Sequence, residues 1–354
     1  MKKTYIFALS LSCLLLSGCS SNSQPSEEPK PKQVKVFLMG GQSNMEGNTY
    51  FQDDDGNDYL KEAFEQLGIE DGDCCYDGIK EVKTSFVGGA NWNLDSGSGM
   101  RGSNEKKPFD GLFLDTKVGF GCGVPKLGGI GPELGLAYNL KDYASEEEPI
   151  YLIKCAFGGS SISANGGWGW DPQASNNKSI YKNKFKDFVD KGLAQIEELE
   201  GMKPTIKGFL WHQGENDSST AAASNYKANL EKLVGALRED YASYADDEDG
   251  ENIAFIDCFI YDKGTNDSAT MPSGSKLSDI KTLNAQKLAF SEESDNNFVV
   301  NSSWQYEGGL KLQIQTKSSG TDQGAIGQQH YRTKDMFLLG QAYADIITEN
   351  DLLD

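Results

Sequence analysis

The stretch VFLMGGQSNMEG, residues 36–47, decides how the rest of the chain is interpreted. Its apolar run, residues 36–39, is continuous rather than alternating, which is typical of a parallel strand covered on both faces. Gly40 and Gly41 follow, and glycines there allow a tight turn that lifts the next side chains out of the sheet. Ligands of open parallel sheets bind at the carboxyl ends of the strands. The stretch therefore predicts that Ser43 lies at such an edge.

Similar apolar runs recur along the chain with helical patterns between them. The strand-like runs are 149–157, 205–213, 252–261 and, more weakly, 296–301, and the helical patterns cover the start of a helix at 131–133 and then 179–200, 222–243, 279–291 and 332–348. Strands alternating with helices predict an α/β sandwich around a parallel sheet. One domain over 34–350 is expected, with a long loop insertion rich in Gly, Asp and Asn at about 48–130.

The N-terminus has the composition of an export signal. Lys2 and Lys3 precede a mostly apolar stretch over residues 5–16, too short for a typical membrane-spanning helix. Its end, residues 16–19, resembles the lipobox of bacterial lipoproteins, in which the signal is cut before the cysteine and that cysteine carries lipid. We expect a signal peptide over 1–18, a lipid on Cys19, a polar tether over 19–33, and a membrane-anchored protein at the cell envelope or surface.

Charge, cysteines and histidines limit the classes of partner and cofactor. The formal net charge of −20 disfavours nucleic acid and anionic membrane surfaces as partners. Export permits disulfides, and Cys74 or Cys75 could pair with Cys122. The chain has two histidines and no CxxC pair, which disfavours a zinc site. No metal and no organic cofactor is predicted.

Polar residues follow several of the predicted strands where those strands end. A serine at a strand end is often only a helix cap, but it can act as a nucleophile where a base and oxyanion donors converge on it. A glycine there can point its backbone N–H into the cleft. The candidates are Ser43; Gly158, Gly159 and Ser160; His212, Gln213, Glu215, Asn216 and Asp217; and His330 before the last helix.

Four of these segments resemble the conserved blocks of a known enzyme superfamily. GQSNMEG, AFGGSSI, WHQGEND and the histidine before the final helix are similar to the blocks of SGNH hydrolases. Within that superfamily they resemble the sialate O-acetylesterase and carbohydrate esterase family six group, which includes acetyl xylan esterase-like enzymes. The resemblance implies a three-layer α/β/α sandwich with a flavodoxin-like parallel sheet, the SGNH hydrolase fold. It also implies removal of acetyl groups from sugars.

The resemblance assigns roles to individual residues. Ser43 is the expected nucleophile and His330 the base. The expected oxyanion donors are the backbone N–H groups of Ser43 and Gly158 and the side-chain amide of Gln213, with Gly159 and Asn216 as alternatives.

The acid of the triad departs from the family pattern. Many relatives carry an aspartate three residues before the histidine, where this chain has Gly327. Glu215 is predicted to take that place through a hydrogen bond to His330. Asp322 and the backbone carbonyl of Gly327 are the alternatives, and Asp322 could reach only if the chain after it folds back.

Three further residues are candidates for the substrate side of the cleft. Trp168 and Trp170 could stack on a sugar, since aromatic faces suit this contact, or could simply cover the end of the sheet. His212 is expected in the wall of the site. The predicted substrate is an acetylated glycan such as xylan or sialic acid. Two rival functions are an esterase acting on acyl lipids and a non-catalytic glycan-binding surface lipoprotein.

Overall fold

The computed structural model describes residues 31–354 apart from residues 54, 89–112, 122–128, 164–166, 176, 248–249, 272 and 316–320. Residues Lys32–Asp354 form one compact unit. The predicted signal peptide and most of the predicted tether, including Cys19, lie outside the described residues.

A seven-stranded sheet forms the centre of the molecule. Its strands follow the spatial order β3-β2-β4-β1-β5-β6-β7, and every neighbouring pair is parallel except β2 with β3. All five predicted strands are present. The strands are β1 (Gln33–Gly41), β2 (Ile79–Gly88), β3 (Leu114–Thr116), β4 (Ile150–Ala156), β5 (Lys203–His212), β6 (Ala254–Cys258) and β7 (Asn297–Val300).

Helices connect the strands. They are α1 (Ser43–Glu46), α2 (Tyr59–Leu67), α3 (Cys74–Asp77), α4 (Pro132–Leu140), α5 (Lys186–Glu200, after a π-helical turn Tyr181–Phe185), α6 (Thr220–Ser224), α7 (Tyr226–Asp240), α8 (Leu277–Ser291) and α9 (Thr333–Glu349). Five of these helices, α4, α5, α7, α8 and α9, lie where the sequence patterns predict helices. A short hairpin, β8 (Thr321–Asp322) with β9 (Ala325–Ile326), precedes α9. Among the residues described, none of the helices combines the length and hydropathy needed to cross a bilayer.

Both faces of the sheet are covered by helices. Along β1, Val36 and Leu38 belong to a hydrophobic core shared with α5, α7 and α8, whereas Phe37 and Met39 belong to a second core shared with α2, α4 and α9. A strand that buries both faces needs a continuous apolar run, and this explains the sequence of β1. The predicted α/β sandwich is therefore confirmed.

The prediction of a long loop insertion over 48–130 is wrong for much of its length. It contains α2, α3, β3 and β2, and β2 pairs with β4 inside the main sheet. Helix α2 is capped by the Asp58 side chain, which accepts from the Lys61 N–H, and it ends at Gly68 in a left-handed conformation. Glycine and aspartate that the composition assigned to a loop thus serve as helix boundaries.

Strand register brings the predicted site segments to one edge of the sheet. Gly41, the last residue of β1, lies opposite Ala156 of β4 and His212 of β5. A Cβ atom at Gly41 would lie 2.1 Å from the His212 carbonyl oxygen, so this close approach requires glycine. The segments that follow β1, β4 and β5 therefore leave the sheet side by side.

Candidate active site

A tight turn presents Ser43 at the end of β1. The Gln42 N–H donates to the His212 carbonyl at 3.0 Å, and α1 begins at the next residue. Gly47, with a φ of 90°, closes this short helix through a hydrogen bond to the Ser43 carbonyl at 2.9 Å. Residues 44–46 are buried, whereas Ser43 is partly exposed. The turn therefore leaves Ser43 partly exposed at the edge of the sheet where β1 ends, which is the position predicted for it.

Gly158 lies directly against Ser43. A Cβ atom added at Gly158 would lie 3.7 Å from Ser43 Cβ and 2.7 Å from Glu46 Oε2, so the buried Glu46 carboxyl leaves room only for glycine. Gly159 has a φ of 72°, and a Cβ there would meet nothing within 4 Å. Of the two predicted glycines, Gly158 is therefore the one that the structure places against Ser43.

Gln213 does not offer its amide to the cleft. Its side chain is fully buried, and Nε2 lies 3.1 Å from Gln42 Oε1, 3.0 Å from the Ser160 carbonyl and 2.6 Å from Asp217 Oδ2. Its Oε1 accepts from the Tyr226 hydroxyl at 2.8 Å. An amide nitrogen has two hydrogens, and these contacts use both. The predicted oxyanion role of the Gln213 amide is therefore not supported, and the residue instead ties the segments after β1, β4 and β5 together.

Asn216, the alternative amide, is exposed at the same edge. Its Nδ2 donates to Ser161 Oγ at 2.8 Å. The backbone N–H groups of Gly214 and Asn216 both point to Gln42 Oε1 at 3.4 Å. Because Asn216 is exposed, its side chain can turn towards a substrate oxygen more readily than that of the buried Gln213 can.

Glu215 is oriented towards Asn44 rather than towards His330. Its Oε1 accepts from Asn44 Nδ2 at 2.7 Å. Its Oε2 is buried and has no hydrogen-bond partner within the described part of the chain. Burial raises the pKa of this carboxyl, although the hydrogen bond from Asn44 opposes the shift. The predicted Glu215–His330 hydrogen bond is not formed in the described structure. The end of β5 brings the backbone of Glu215 to the edge of the sheet, but its carboxyl is hydrogen-bonded to Asn44 instead.

His330 lies on a partly exposed loop that is bound tightly through its backbone. The His330 carbonyl accepts from the Gln315 N–H at 2.9 Å, and the Gln329 N–H donates to the Gln315 carbonyl at 3.0 Å. Asn44, the neighbour of Ser43, donates to the Gln329 carbonyl at 3.1 Å. Ser43 and His330 are thus brought to the same edge, with Asn44 as the link between their backbones.

Asp322 could serve as the acid only if the chain after it folds back, and the backbone does fold back there. β8 and β9 pair antiparallel, with Asp322 opposite Ala325, so the chain after Asp322 folds back. The Thr333 N–H, three residues after His330, donates to the Gln323 carbonyl at 3.0 Å, which holds the hairpin next to the histidine loop. The side chain of Asp322 lies outside the described part of the structure.

His212 and Trp170 are buried, so the substrate contact predicted for them is wrong, whereas the expectation that His212 is a packed residue in the wall of the site is confirmed. His212 Nε2 is 3.1 Å from the Tyr331 hydroxyl, and burial, with the nearby Lys287 charge, lowers its pKa to about 3. Such an imidazole stays neutral and cannot act as a base near neutral pH. Trp170 donates from Nε1 to Ser160 Oγ at 3.0 Å and packs in the core.

Trp168 is the exposed aromatic residue beside the site. The residue is 37% exposed, and its ring centroid lies 5.9 Å from that of Phe157, which directly precedes Gly158. The rings are inclined by 34°. An indole face supported from behind and open in front is suited to stacking on a sugar ring.

Gln42 and Asn44 are site residues that the sequence analysis did not assign. Both flank Ser43 in GQSN, both are buried, and their side-chain amides are bonded to Gln213 and Glu215, which follow β5. A signal was available, since two amide side chains bracketing a candidate nucleophile at a strand end have to find buried partners.

Within the described ranges, no group of three or more His, Cys, Asp or Glu side chains is arranged to hold a metal ion. Cys74 and Cys75 form no disulfide with another cysteine of the described residues. Cys122 lies outside the described residues, so its predicted pairing stays a prediction.

Comparison with known proteins found one matching family and several similar solved structures. The family of carbohydrate esterases described as sialic acid-specific acetylesterase matches residues 112–348. A search of curated proteins gave no match. Among solved structures, NanS matches with a TM-score of 0.53 and 13% identity over 91% of this chain and 98% of its own.

Two further solved structures match with lower TM-scores. A protein from Arabidopsis thaliana matches with a TM-score of 0.48 and 17% identity over 90% of this chain and 99% of its own. XAC1771, a carbohydrate acetylesterase from Xanthomonas citri, matches with a TM-score of 0.44 and 15% identity over 89% of this chain and 56% of its own.

Proposed function

Because the chain belongs to the sialic acid-specific acetylesterase family of carbohydrate esterases, we propose that it removes O-acetyl groups from carbohydrates with Ser43 as the nucleophile. One observation carries the proposal: the partly exposed Ser43 lies against the backbone of Gly158, at the edge where β1, β4 and β5 end. The proximity of Ser43 to Gly158 supports the proposal, because acyl transfer requires hydrogen-bond donors next to the reacting hydroxyl.

The first half of the reaction forms an acetyl-enzyme. His330 accepts the proton of Ser43 Oγ as this oxygen attacks the acetyl carbonyl. The backbone N–H groups of Ser43 and Gly158 stabilise the oxyanion, with the Asn216 side chain as a third donor. Each such donor typically contributes about 3 kcal/mol to transition-state stabilisation. The tetrahedral intermediate then collapses, the bond to the sugar oxygen breaks, and His330 protonates the departing sugar hydroxyl.

The second half returns the free enzyme. His330 removes a proton from water as the water oxygen attacks the acetyl-enzyme. The tetrahedral intermediate then collapses, His330 returns that proton to Ser43 Oγ as its bond to the acetyl carbon breaks, and acetate leaves. Through both halves the second imidazole nitrogen needs an acceptor that fixes the tautomer and stabilises the imidazolium. We assign that role to Asp322, because Glu215 is bound to Asn44 and the hairpin returns the Asp322 backbone towards the histidine loop.

Trp168 supports a sugar as the leaving group. Its exposed face lies beside the oxyanion segment, where the ring carrying the acetyl ester would sit. For the rival substrate, an acyl lipid, a long apolar tunnel would be needed. The described residues form beside Glu215 an apolar recess of about 10 Å³, lined in part by Ile260, Met271 and Ile314, which is too small to hold an acyl chain. We therefore favour acetylated glycan over acyl lipid.

The test is acetate release from a panel of acetylated glycans, including O-acetylated sialic acid and acetylated xylan, with p-nitrophenyl acetate as a sugar-free substrate. We expect release from at least one glycan. Trp168→Ala should raise KM for that glycan about tenfold, in line with the loss of one stacking contact, and leave KM for p-nitrophenyl acetate within about twofold. Turnover of p-nitrophenyl acetate without release from any glycan would contradict the substrate class. No turnover of either would favour the non-catalytic glycan-binding protein.

A further inference from the structure

The residue before His330 has an unusual backbone conformation. Gln329 has a φ of 78°, in the left-handed region that side chains other than glycine rarely adopt. Conformations of this kind persist only where the surrounding structure fixes them, and they concentrate at functional sites. The conformation of Gln329 sets the direction in which the chain enters His330.

Asn44 is bonded to the backbone on both sides of His330. Its Nδ2 donates to the Gln329 carbonyl at 3.1 Å, and its Oδ1 accepts from the Tyr331 N–H at 3.4 Å. The second Nδ2 hydrogen goes to Glu215 Oε1 at 2.7 Å. Both amide hydrogens and the amide oxygen are therefore used, and two of the three bonds bracket the proposed base.

Glu215 is the anchor of this arrangement. Its hydrogen bond to Asn44 is the shortest of the three. The apolar recess lined by Ile260, Met271 and Ile314 also includes Glu215 and Gln329. With apolar walls around it and Oε2 buried without a partner in the described ranges, the carboxyl has Asn44 as its hydrogen-bond donor. Asn44 is therefore held from one side and holds the histidine loop from the other.

We propose that Asn44 is a positioning residue, which, anchored by Glu215, maintains the left-handed conformation of Gln329 and so directs the imidazole of His330 towards Ser43. The proposal rests on the proposed function for its kinetic consequence. It gives the asparagine of GQSN a role separate from that of the neighbouring serine. It also gives Glu215 a role other than that of triad acid.

The kinetic test compares Asn44→Ala with Asn297→Ala. Asn297 is also buried and also makes two side-chain hydrogen bonds, to the Phe290 carbonyl and from Arg238, at the start of β7 and away from the site. Misplacing a catalytic group by about 1 Å costs roughly 100-fold in rate. We expect Asn44→Ala to lower kcat about 10- to 100-fold with little change in KM, whereas Asn297→Ala loses melting temperature but keeps kcat.

A second variant distinguishes positioning from general loss of structure. Glycine adopts a positive φ without the penalty that glutamine pays. Gln329→Gly in the Asn44→Ala background should therefore recover about fivefold in kcat, because the productive backbone no longer needs to be enforced. A role of Asn44 in packing alone predicts no recovery.

NMR spectra of the histidine rings test the same proposal without depending on enzyme activity. The chain has two histidines, and the buried His212 serves as an internal reference. Asn44→Ala should broaden or split the ring signals of His330 and leave those of His212 unchanged. Absence of esterase activity in the wild-type protein would reject the proposed function, and the NMR result would still test the positioning role. The inference is overturned if Asn44→Ala matches Asn297→Ala in kcat, or leaves the His330 signals unaltered.

Discussion

Amide replacement separates the roles of Glu215 and Asp322. The amide of Glu215→Gln can still accept from Asn44 through its oxygen, so we expect a loss of activity within about fivefold, since the bond becomes a neutral one. Asp322→Asn should cost about 10³- to 10⁴-fold in kcat, because an asparagine stabilises the wrong imidazole tautomer. Acetate release by the two variants is the measurement. The opposite ranking would restore Glu215 as the triad acid.

His212 predicts a pH dependence of stability. Its pKa falls from 6.5 unfolded to about 3 folded, so the unfolded chain binds the extra proton first and stability is lost as pH falls below about 6.5. Between pH 7 and pH 5 the loss is about 2 kcal/mol. Asp217, with its pKa raised to about 6, acts in the opposite direction, so comparison with a variant is needed to isolate the effect.

The variant for this comparison is His212→Gln, which cannot titrate. Free energies of unfolding are measured by urea denaturation. As the pH falls from 7 to 5, the difference between the variant and the wild type should change by about 2 kcal/mol in favour of the variant. A gap that stays constant over this range would show that His212 is not buried as a neutral imidazole.

Some strands could be predicted from the sequence and others could not. β1, β4, β5, β6 and β7 were predicted because a strand buried on both faces needs an apolar run. β2 was not predicted, because its first half is polar: Lys80 is exposed, and Glu81 and Lys83 are partly exposed. Because β2 lies beside the short edge strand β3, such residues can stay at the surface. The hydrophobic periodicity of the sequence does not show which strand lies near the edge of the sheet.

The close packing of α4 and α9 supports a prediction about two glycines. A Cβ at Gly340 of α9 would lie 2.2 Å from the Pro132 carbonyl, whereas a Cβ at the exposed Gly235 of α7 would meet nothing within 4 Å. Gly340→Ala should therefore cost about 1–3 kcal/mol by overpacking. Gly235→Ala should add about 1 kcal/mol through helix propensity. Equal denaturation midpoints for the two variants would argue against this helix contact.

At the scale of the whole molecule, the sequence located the site better than it assigned the side chains within it. Register requires that the segments after β1, β4 and β5 emerge together, so the strand ends alone place Ser43, Gly158 and Glu215 at one edge. The orientation of Glu215 depends on Asn44, and the return of Asp322 depends on a two-residue hairpin. Rotamers and short hairpins are decided by contacts between distant segments, which strand patterns do not reveal.

The N-terminal segment supports a proposal about location. We propose that the protein is a lipoprotein held at the cell envelope through Cys19, on the evidence of the lipobox-like residues 16–19. The N-terminal lipid is the proposed anchor, and for a chain with a formal net charge of −20 electrostatic attraction to anionic lipid would not replace it. Cys19→Ala should move the protein from the membrane to the soluble fraction. Unchanged membrane partition of this variant would contradict the proposal.

The central claim is that Ser43 carries the acetyl group during turnover, and the most direct test is to trap that intermediate. The wild-type protein is quenched with acid during hydrolysis of p-nitrophenyl acetate, digested, and analysed by mass spectrometry of the peptide that contains Ser43. We expect an acetyl group on Ser43. The Ser43→Ala variant should fold normally but release no acetate above background. Turnover that continues in Ser43→Ala, or an acetyl group found on another residue and never on Ser43, would contradict the claim.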